Sequence, residues 1–195
     1  MIKLNLVMIF LMVIITVMFI KKSSGEVKYV ESDLDGKKYL VRDLPDKQKA
    51  ANMLAKIRMN LINLSNYLND NKDDKYKEYS EYIERLHSKI ENVDISESTP
   101  DSAYTSYSVN KGEQLVFCVR SKDIINNLHD LNLVMYVALH EISHIASPEY
   151  GHTELFKKIF AFFTDIAIQR NLYTKIDFKH DPTEYCGLII TESII

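Results

Sequence analysis

The chain has 195 residues, 46% hydrophobic and 26% charged, with a formal net charge of −3. That balance excludes a highly charged disordered polymer and leaves room for one core with a small appendage. From Pro100 onward eight Lys and Arg face twelve Asp and Glu, the wrong sign for a nucleic-acid footprint.

The first element is LNLVMIFLMVIITVMFI, Leu4 to Ile20, apolar apart from Asn5 and Thr16. Lys3 precedes it and Lys21 and Lys22 follow. Seventeen helical residues reach roughly 25 Å, near the lower limit for a membrane span. The segment predicts a single-pass membrane protein anchored through residues 4–20. The alternative is a signal segment, cleaved after Ser23 and Gly25, with secretion of the remainder. For an anchor, the flanking lysines favour the cytosolic side for the body of the protein.

Residues 27–100 read as a hairpin followed by two helices. Asp35-Gly36 is a type I′ turn signal between two β-prone runs. Pro45-Asp46 opens a helix with Met53, Ile57, Leu61, Leu64 and Leu68 at helical spacing. After the polar break NDNKDDK, a second helix carries Tyr79, Ile83, Leu86 and Ile90 on one packing stripe. Glu97 to Ser102 reads as a loop.

Residues 101–195 carry the chemistry. Two β-rich runs flank Asn110-Lys111-Gly112-Glu113, a second hairpin signal, and Leu115 to Val119 is the most strand-like stretch. Leu131 to Ala146 predicts a helix with Asp130 as its N-cap. Pro148 and Gly151 break the chain, and Thr153 to Asn171 predicts another helix with Phe156, Ile159, Phe160, Phe163 and Ala167 on its apolar face. The tail could end in a strand at Leu188 to Thr191. Cys118 and Cys186 lack C-x-x-C spacing, so they form no metal knuckle. Two free thiols and one disulfide are both open to them.

The decisive stretch is ALHEISHIASPEYGHTELF. His140 and His144 lie four residues apart on one helix face, a spacing that lets both bind one zinc ion. Glu141 sits too close in sequence to share the ion, but it can reach a water as a general base. Met135, Leu139, Ile142 and Ile145 occupy the other faces, so the helix is expected to be buried except along the histidine strip. Burying that strip is costly without a partner, and a metal supplies one. His152, beyond the Pro/Gly loop, is the expected third ligand. Asp165 is the alternative, followed by Glu149. Tyr150, Tyr185 and His180 are candidate donors to an oxyanion. His87 and His129 read as surface residues.

HEISH followed by GHTELF resembles the WLM and SprT-like zinc metallopeptidases. Those families pair H-E-x-x-H with a later H-x-x-x-[FW] segment, and His140, His144, His152 and Phe156 match it position by position. The hairpin SYSVNKGEQLVFCVR is similar to the strand pair such domains place before the active helix. The tail PTEYCG is similar to that of membrane-anchored members encoded by large DNA viruses. The seven-residue gap between His144 and His152 departs from the usual WLM spacing. The resemblance covers about Tyr104 to Ile195.

It implies an α+β, zincin-like minimal metallopeptidase domain at 101–195, behind a helical hairpin and an N-terminal membrane helix. It also implies Zn2+ on His140, His144 and His152, Glu141 as catalytic base, and a protein or peptide substrate. Some members of these families cleave proteins crosslinked to DNA, but the acidic domain and the expected anchor argue against that substrate here. The alternative function is a non-catalytic membrane or virion protein that keeps zinc as a structural clip.

Overall fold

The computed structural model describes residues 8, 12–14, 27–122 and 126–195. It is a mixed α/β structure with a five-stranded sheet, a separate two-stranded sheet and four helices of eight or more residues among those residues. The segment 4–20 lies outside the described residues except for four helical positions, Met8 and Met12 to Ile14.

No helix among the described residues is long and apolar enough to cross a membrane. The expected single-pass membrane placement, and the membrane helix in the expected fold, are corrected on that finding. The physical reason lies in the helices themselves. The longest, α1 (Lys47–Asn71), has 25 residues but carries Lys49, Lys56, Arg58 and Asp70 along its length. The two most apolar, α3 (Leu131–Ala146) and α4 (Glu154–Gln169), have 16 residues each. At 1.5 Å per residue they reach roughly 24 Å, short of a hydrocarbon core.

The chain begins with a hairpin, β1 (Val27–Glu31) against β2 (Lys38–Arg42). Its connection is six residues long, not the two-residue type I′ turn that Asp35-Gly36 suggested. Ser32 N–H donates to Lys37 O and Gly36 N–H to Ser32 O, while Asp35 accepts from Tyr39 Oη at 2.6 Å. Helix α1 follows with Ile57, Leu61, Leu64 and Leu68 fully buried. A short 3-10 turn, Lys77–Tyr79, leads into α2 (Ser80–Ile90), whose buried residues are Ile83, Leu86 and Ile90.

Glu97, expected to begin a loop, instead ends a strand. β3 (Asp94–Glu97) pairs in parallel with β2 on one side and with β5 (Gln114–Phe117) on the other. Its sequence DISE gave no strand signal, because Ser and Glu are poor strand formers. Here they are buried and paid for by specific partners. Glu97 Oε2 accepts the Arg42 N–H at 2.8 Å, and Glu97 Oε1 accepts from Arg120 Nε at 2.7 Å. β4 (Tyr107–Val109) closes the sheet antiparallel to β5, giving the order β1-β2-β3-β5-β4. The sheet therefore draws strands from residues 27–97 and 107–117 alike, and one hydrophobic cluster runs from Tyr39 to Cys186.

Helix α3 is the central helix, touching α1, α2, α4, β4 and β5. Asp130 caps it, accepting the Asn132 N–H at 2.8 Å. Apart from its first two residues, only His140 and His144 are not buried along its length. The tail forms a separate two-stranded sheet, β6 (Thr183–Tyr185) against β7 (Leu188–Ile190). Its two-residue turn, Cys186-Gly187, has both residues at positive φ (53° and 85°), the I′ conformation that matches strand twist.

Candidate metal centre

His140 and His144 project from α3 one turn apart, and α4 brings in His152. Thr153 caps α4 by accepting the Phe156 N–H at 3.2 Å, which fixes the chain direction right after His152. His152 Nε2 lies 3.0 Å from His140 Nε2, and His144 Nε2 lies 3.2 Å from the same atom. Phe156 forms the floor. Its ring stacks on His144 at 4.2 Å and meets His140 and His152 edge-on, each at 5.0 Å.

These separations can be tested against the chemistry of imidazole. A neutral ring nitrogen carries either one proton or one in-plane lone pair. His140 Nε2 can therefore form a hydrogen bond with one of its two neighbours, not both. A shared cation satisfies all three. Ligand distances of ~2.0–2.1 Å in tetrahedral geometry put nitrogens ~3.3 Å apart, close to the spacing found. The donor set thus fits an ion of the zinc class.

Electrostatics keep the two helix-borne rings in their ligand form. Burial, then the charges that His144 and His152 would carry, pushes His140 down to about 3. Burial, then His152 and Lys111, pushes His144 down to about 4. Glu141 is 5% exposed, and burial raises its carboxyl to about 7, against the opposing pull of the Ser108 N–H. A carboxyl near neutrality can take and return a proton at ordinary pH.

The cleft over the histidines has a volume of about 670 Å³ and a mostly apolar wall. β4 and the residue before it form one side, through Ser106, Tyr107 and Ser108, and the β6–β7 hairpin the other, through Tyr185, Leu188 and Ile190. The strand expected to border it, Leu115 to Val119, does not present a free edge. Its regular part, β5, is paired on both sides, by β3 and β4. The edge strand beside the cleft is β4.

The remaining candidates separate clearly. Asp165 bonds Gln169 at 2.7 Å and borders a different groove with Tyr76 and Tyr79. Glu149 lines the cleft, but the histidine group does not include it. Tyr185 lines the cleft, 3% exposed, with its Oη 2.6 Å from Ser106 Oγ. Tyr150 stands at the rim, 86% exposed. His180 bonds Asp177 at 2.7 Å, away from the cleft. His129, read as a surface residue, is half-buried, with its ring 5.1 Å from that of Tyr185. Cys118 and Cys186 are joined as a disulfide.

Sequence reading passed over Lys111. Its Nζ donates to Ser147 O at 2.6 Å and to Glu149 O at 2.9 Å, and sits 4.4 Å from the centre of the Tyr150 ring. It thereby holds the loop that delivers His152. The turn that aims it packs tightly: a Cβ on Gly112, at φ 106°, would meet Ile145 at 3.1 Å.

Fold and site together define a small α/β protein with a three-histidine cluster and a buried glutamate at one cleft. No family model matches the chain. It is 43% identical over 191 residues to uncharacterized protein R325 of Acanthamoeba polyphaga mimivirus, covering 98% of this chain and 96% of that one. The chain belongs to the same family as that viral protein. It is also 38% identical over 82 residues to uncharacterized protein 136R of Invertebrate iridescent virus 6, covering 42% of this chain and 44% of that one. Among solved structures it resembles Wss1 from Saccharomyces cerevisiae, with 19% identity and a TM-score of 0.35, over 52% of this chain and 84% of that one. An overlap of that size does not define a shared fold.

Proposed function

We propose that this chain is a zinc-dependent peptidase of the WLM or SprT-like kind, with His140, His144 and His152 as metal ligands and Glu141 as catalytic base. One observation carries the reading. Three imidazole nitrogens converge at a cleft, two of them 3.0 and 3.2 Å from the third, beside a carboxyl whose pKa burial raises to about 7. Zinc, when bound, supplies Lewis acidity to a scissile carbonyl.

The chain's own residues do the rest. Glu141 takes a proton from the attacking water and passes it to the leaving amine. The Ser108 N–H on β4 favours the charged form of the Glu141 carboxyl, against the effect of its burial. The β4 edge can add an extended peptide as a further strand, so the substrate is an unfolded or exposed protein segment. Burial raises the Tyr185 phenol far above neutrality, so it stays protonated and can donate to a developing oxyanion. A structural zinc clip in a non-catalytic protein explains less. Structural sites are closed by four protein ligands, whereas this group offers three and opens onto a cleft.

The test is Glu141→Gln in the full chain, with zinc content and hydrolysis of a mixed peptide library read together. The proposal expects zinc retained and cleavage lost. Cleavage by the variant at the parent's rate would sink the assignment of Glu141. An absence of zinc from the parent protein would sink the metal reading itself.

A further inference from the structure

A second group of three ligand-type side chains lies behind the cleft wall. The Cys118 and Cys186 Sγ atoms and a ring nitrogen of His129 all lie within 4.8 Å of one another. His129 Nε2 is 3.3 Å from Cys186 Sγ. Cys118 follows β5, and Cys186 makes the turn of the β6–β7 hairpin. Both cysteines are buried, 4% and 3% exposed. The Cα atoms are 6.3 Å apart, a separation that serves a disulfide and also two thiolates on one ion.

We propose that this group is a second metal site, built by the reduced protein from Cys118, Cys186 and His129 and taking one soft divalent cation of the zinc class. A dithiol reductant supplies two electrons and two protons to the Cys118–Cys186 bond and leaves as its own disulfide. The cation then displaces the two thiol protons and is held by two sulfurs and one imidazole nitrogen, with the Arg120 carbonyl oxygen, 3.1 and 3.2 Å from the two sulfurs, as the fourth ligand that closes the site. Tetrahedral ligand distances of ~2.3 Å to sulfur and ~2.0 Å to nitrogen place S and N ~3.5 Å apart, close to the His129–Cys186 spacing. The sulfurs need to separate to ~3.8 Å, a shift that side-chain rotation can supply without moving the strands.

The consequence concerns the cleft. The β6–β7 hairpin is not part of the main sheet, yet it carries Tyr185, Leu188 and Ile190 of the cleft wall. The disulfide ties it to the end of β5 under oxidising conditions. The metal ties it to the same place under reducing conditions. The wall is therefore held in both redox environments and loosens only when the protein is reduced and metal-free.

Cobalt(II) distinguishes this site from the histidine centre, because only sulfur ligands give a thiolate-to-cobalt charge-transfer band in the near ultraviolet. The full chain is titrated with cobalt as purified under oxidising conditions, and again after reduction and anaerobic desalting. The expected result is no sulfur band when oxidised, and a band saturating at about one equivalent per sulfur site when reduced. The band should persist in His140→Ala and vanish in Cys186→Ser, with His129→Gln weakening it. Hydrogen exchange at Thr183–Ile190 should rise about tenfold or more in the reduced, metal-free chain and return on adding cobalt. A reduced chain that binds cobalt without a sulfur band overturns the site, whatever the histidines do. A sulfur band lost in His140→Ala overturns its independence from the histidine centre. Exchange that stays high after cobalt binds overturns the tether.

Discussion

The histidine cluster and the sulfur cluster are both trios of ligand-type side chains, and they are built in opposite ways. His140, His144 and His152 grade from half-buried to exposed and open onto a cleft. Cys118 and Cys186 are shut in and stand 68 residues apart in sequence. The open cluster stands on two consecutive helices whose caps, Asp130 and Thr153, set its geometry locally. The closed cluster depends on tertiary structure, since a separate hairpin must dock before it exists. In the readings proposed above, the open group admits a substrate and the closed group attaches a hairpin.

The largest expected effect breaks the open cluster's chemistry without touching either cluster's structure. Glu141→Gln should lower turnover by ~10²–10⁴-fold, with zinc content and thermal midpoint near those of the parent. Next comes the frame beneath the closed cluster. Arg120 is 2% exposed and spans Glu97 and Asp46 at 2.7 and 2.6 Å, while its carbonyl faces both cysteine sulfurs. Arg120→Met leaves Glu97 buried without its countercharge and should cost about 3–5 kcal/mol in urea unfolding. Pairing it with Glu97→Leu should recover most of that loss, because the penalty belongs to the stranded carboxylate. Removing the disulfide by Cys118→Ala should cost somewhat less, about 2–4 kcal/mol under oxidising conditions. If the loss is as large after reduction in the presence of zinc, the sulfur site binds metal.

The two clusters also differ in how far the sequence disclosed them. H-E-x-x-H and the later histidine lie within thirteen residues of one another, so helical periodicity and one loop suffice to bring them together. The Asp130 cap and the bounds of α3 follow from the same local rules, whereas α4, expected over 153–171, starts one residue later behind the Thr153 cap and ends at Gln169. The sulfur cluster was not legible, because its members are joined by strand pairing and hairpin docking that no spacing records. β3 was missed for a related reason: DISE becomes a strand only through Arg42 and Arg120, which lie elsewhere in the chain. The role of Lys111 was hidden too, since its acceptors stand about one helix and a loop further along.

Lys111 offers a finer probe of the open cluster. Lys111→Met keeps the stem but removes the ammonium that binds the Ser147 and Glu149 carbonyls. The His152 loop is then held less firmly, and zinc affinity should fall by ~10–100-fold, the usual cost of losing an outer-shell support. The thermal midpoint of the metal-free protein should move by less than the zinc affinity, because one of the two bonds lost is exposed and the other only part-buried. A change in stability with unchanged zinc affinity would assign Lys111 to the fold instead of the site.

The smallest expected effect is a pH dependence that belongs to the open cluster, because a disulfide does not titrate. In the metal-free protein His140 and His144 ionise at about 3 and about 4, against ~6.5 when unfolded. As pH falls below ~6.5 the unfolded chain takes up these protons first, so stability is present above that value and drains away toward pH 4. Glu141 acts in the opposite sense. Its folded value of about 7 lies above the unfolded ~4.3, so the folded chain takes up that proton first and gains stability as pH falls through the same window. Two histidines oppose one glutamate, and the net slope should favour neutral pH. Urea midpoints of the EDTA-treated, oxidised protein at pH 7.5 and 5 measure it. His140→Gln should flatten the acid loss and Glu141→Gln should steepen it. If both variants shift the slope the same way, the two groups are not titrating as the burial of α3 requires.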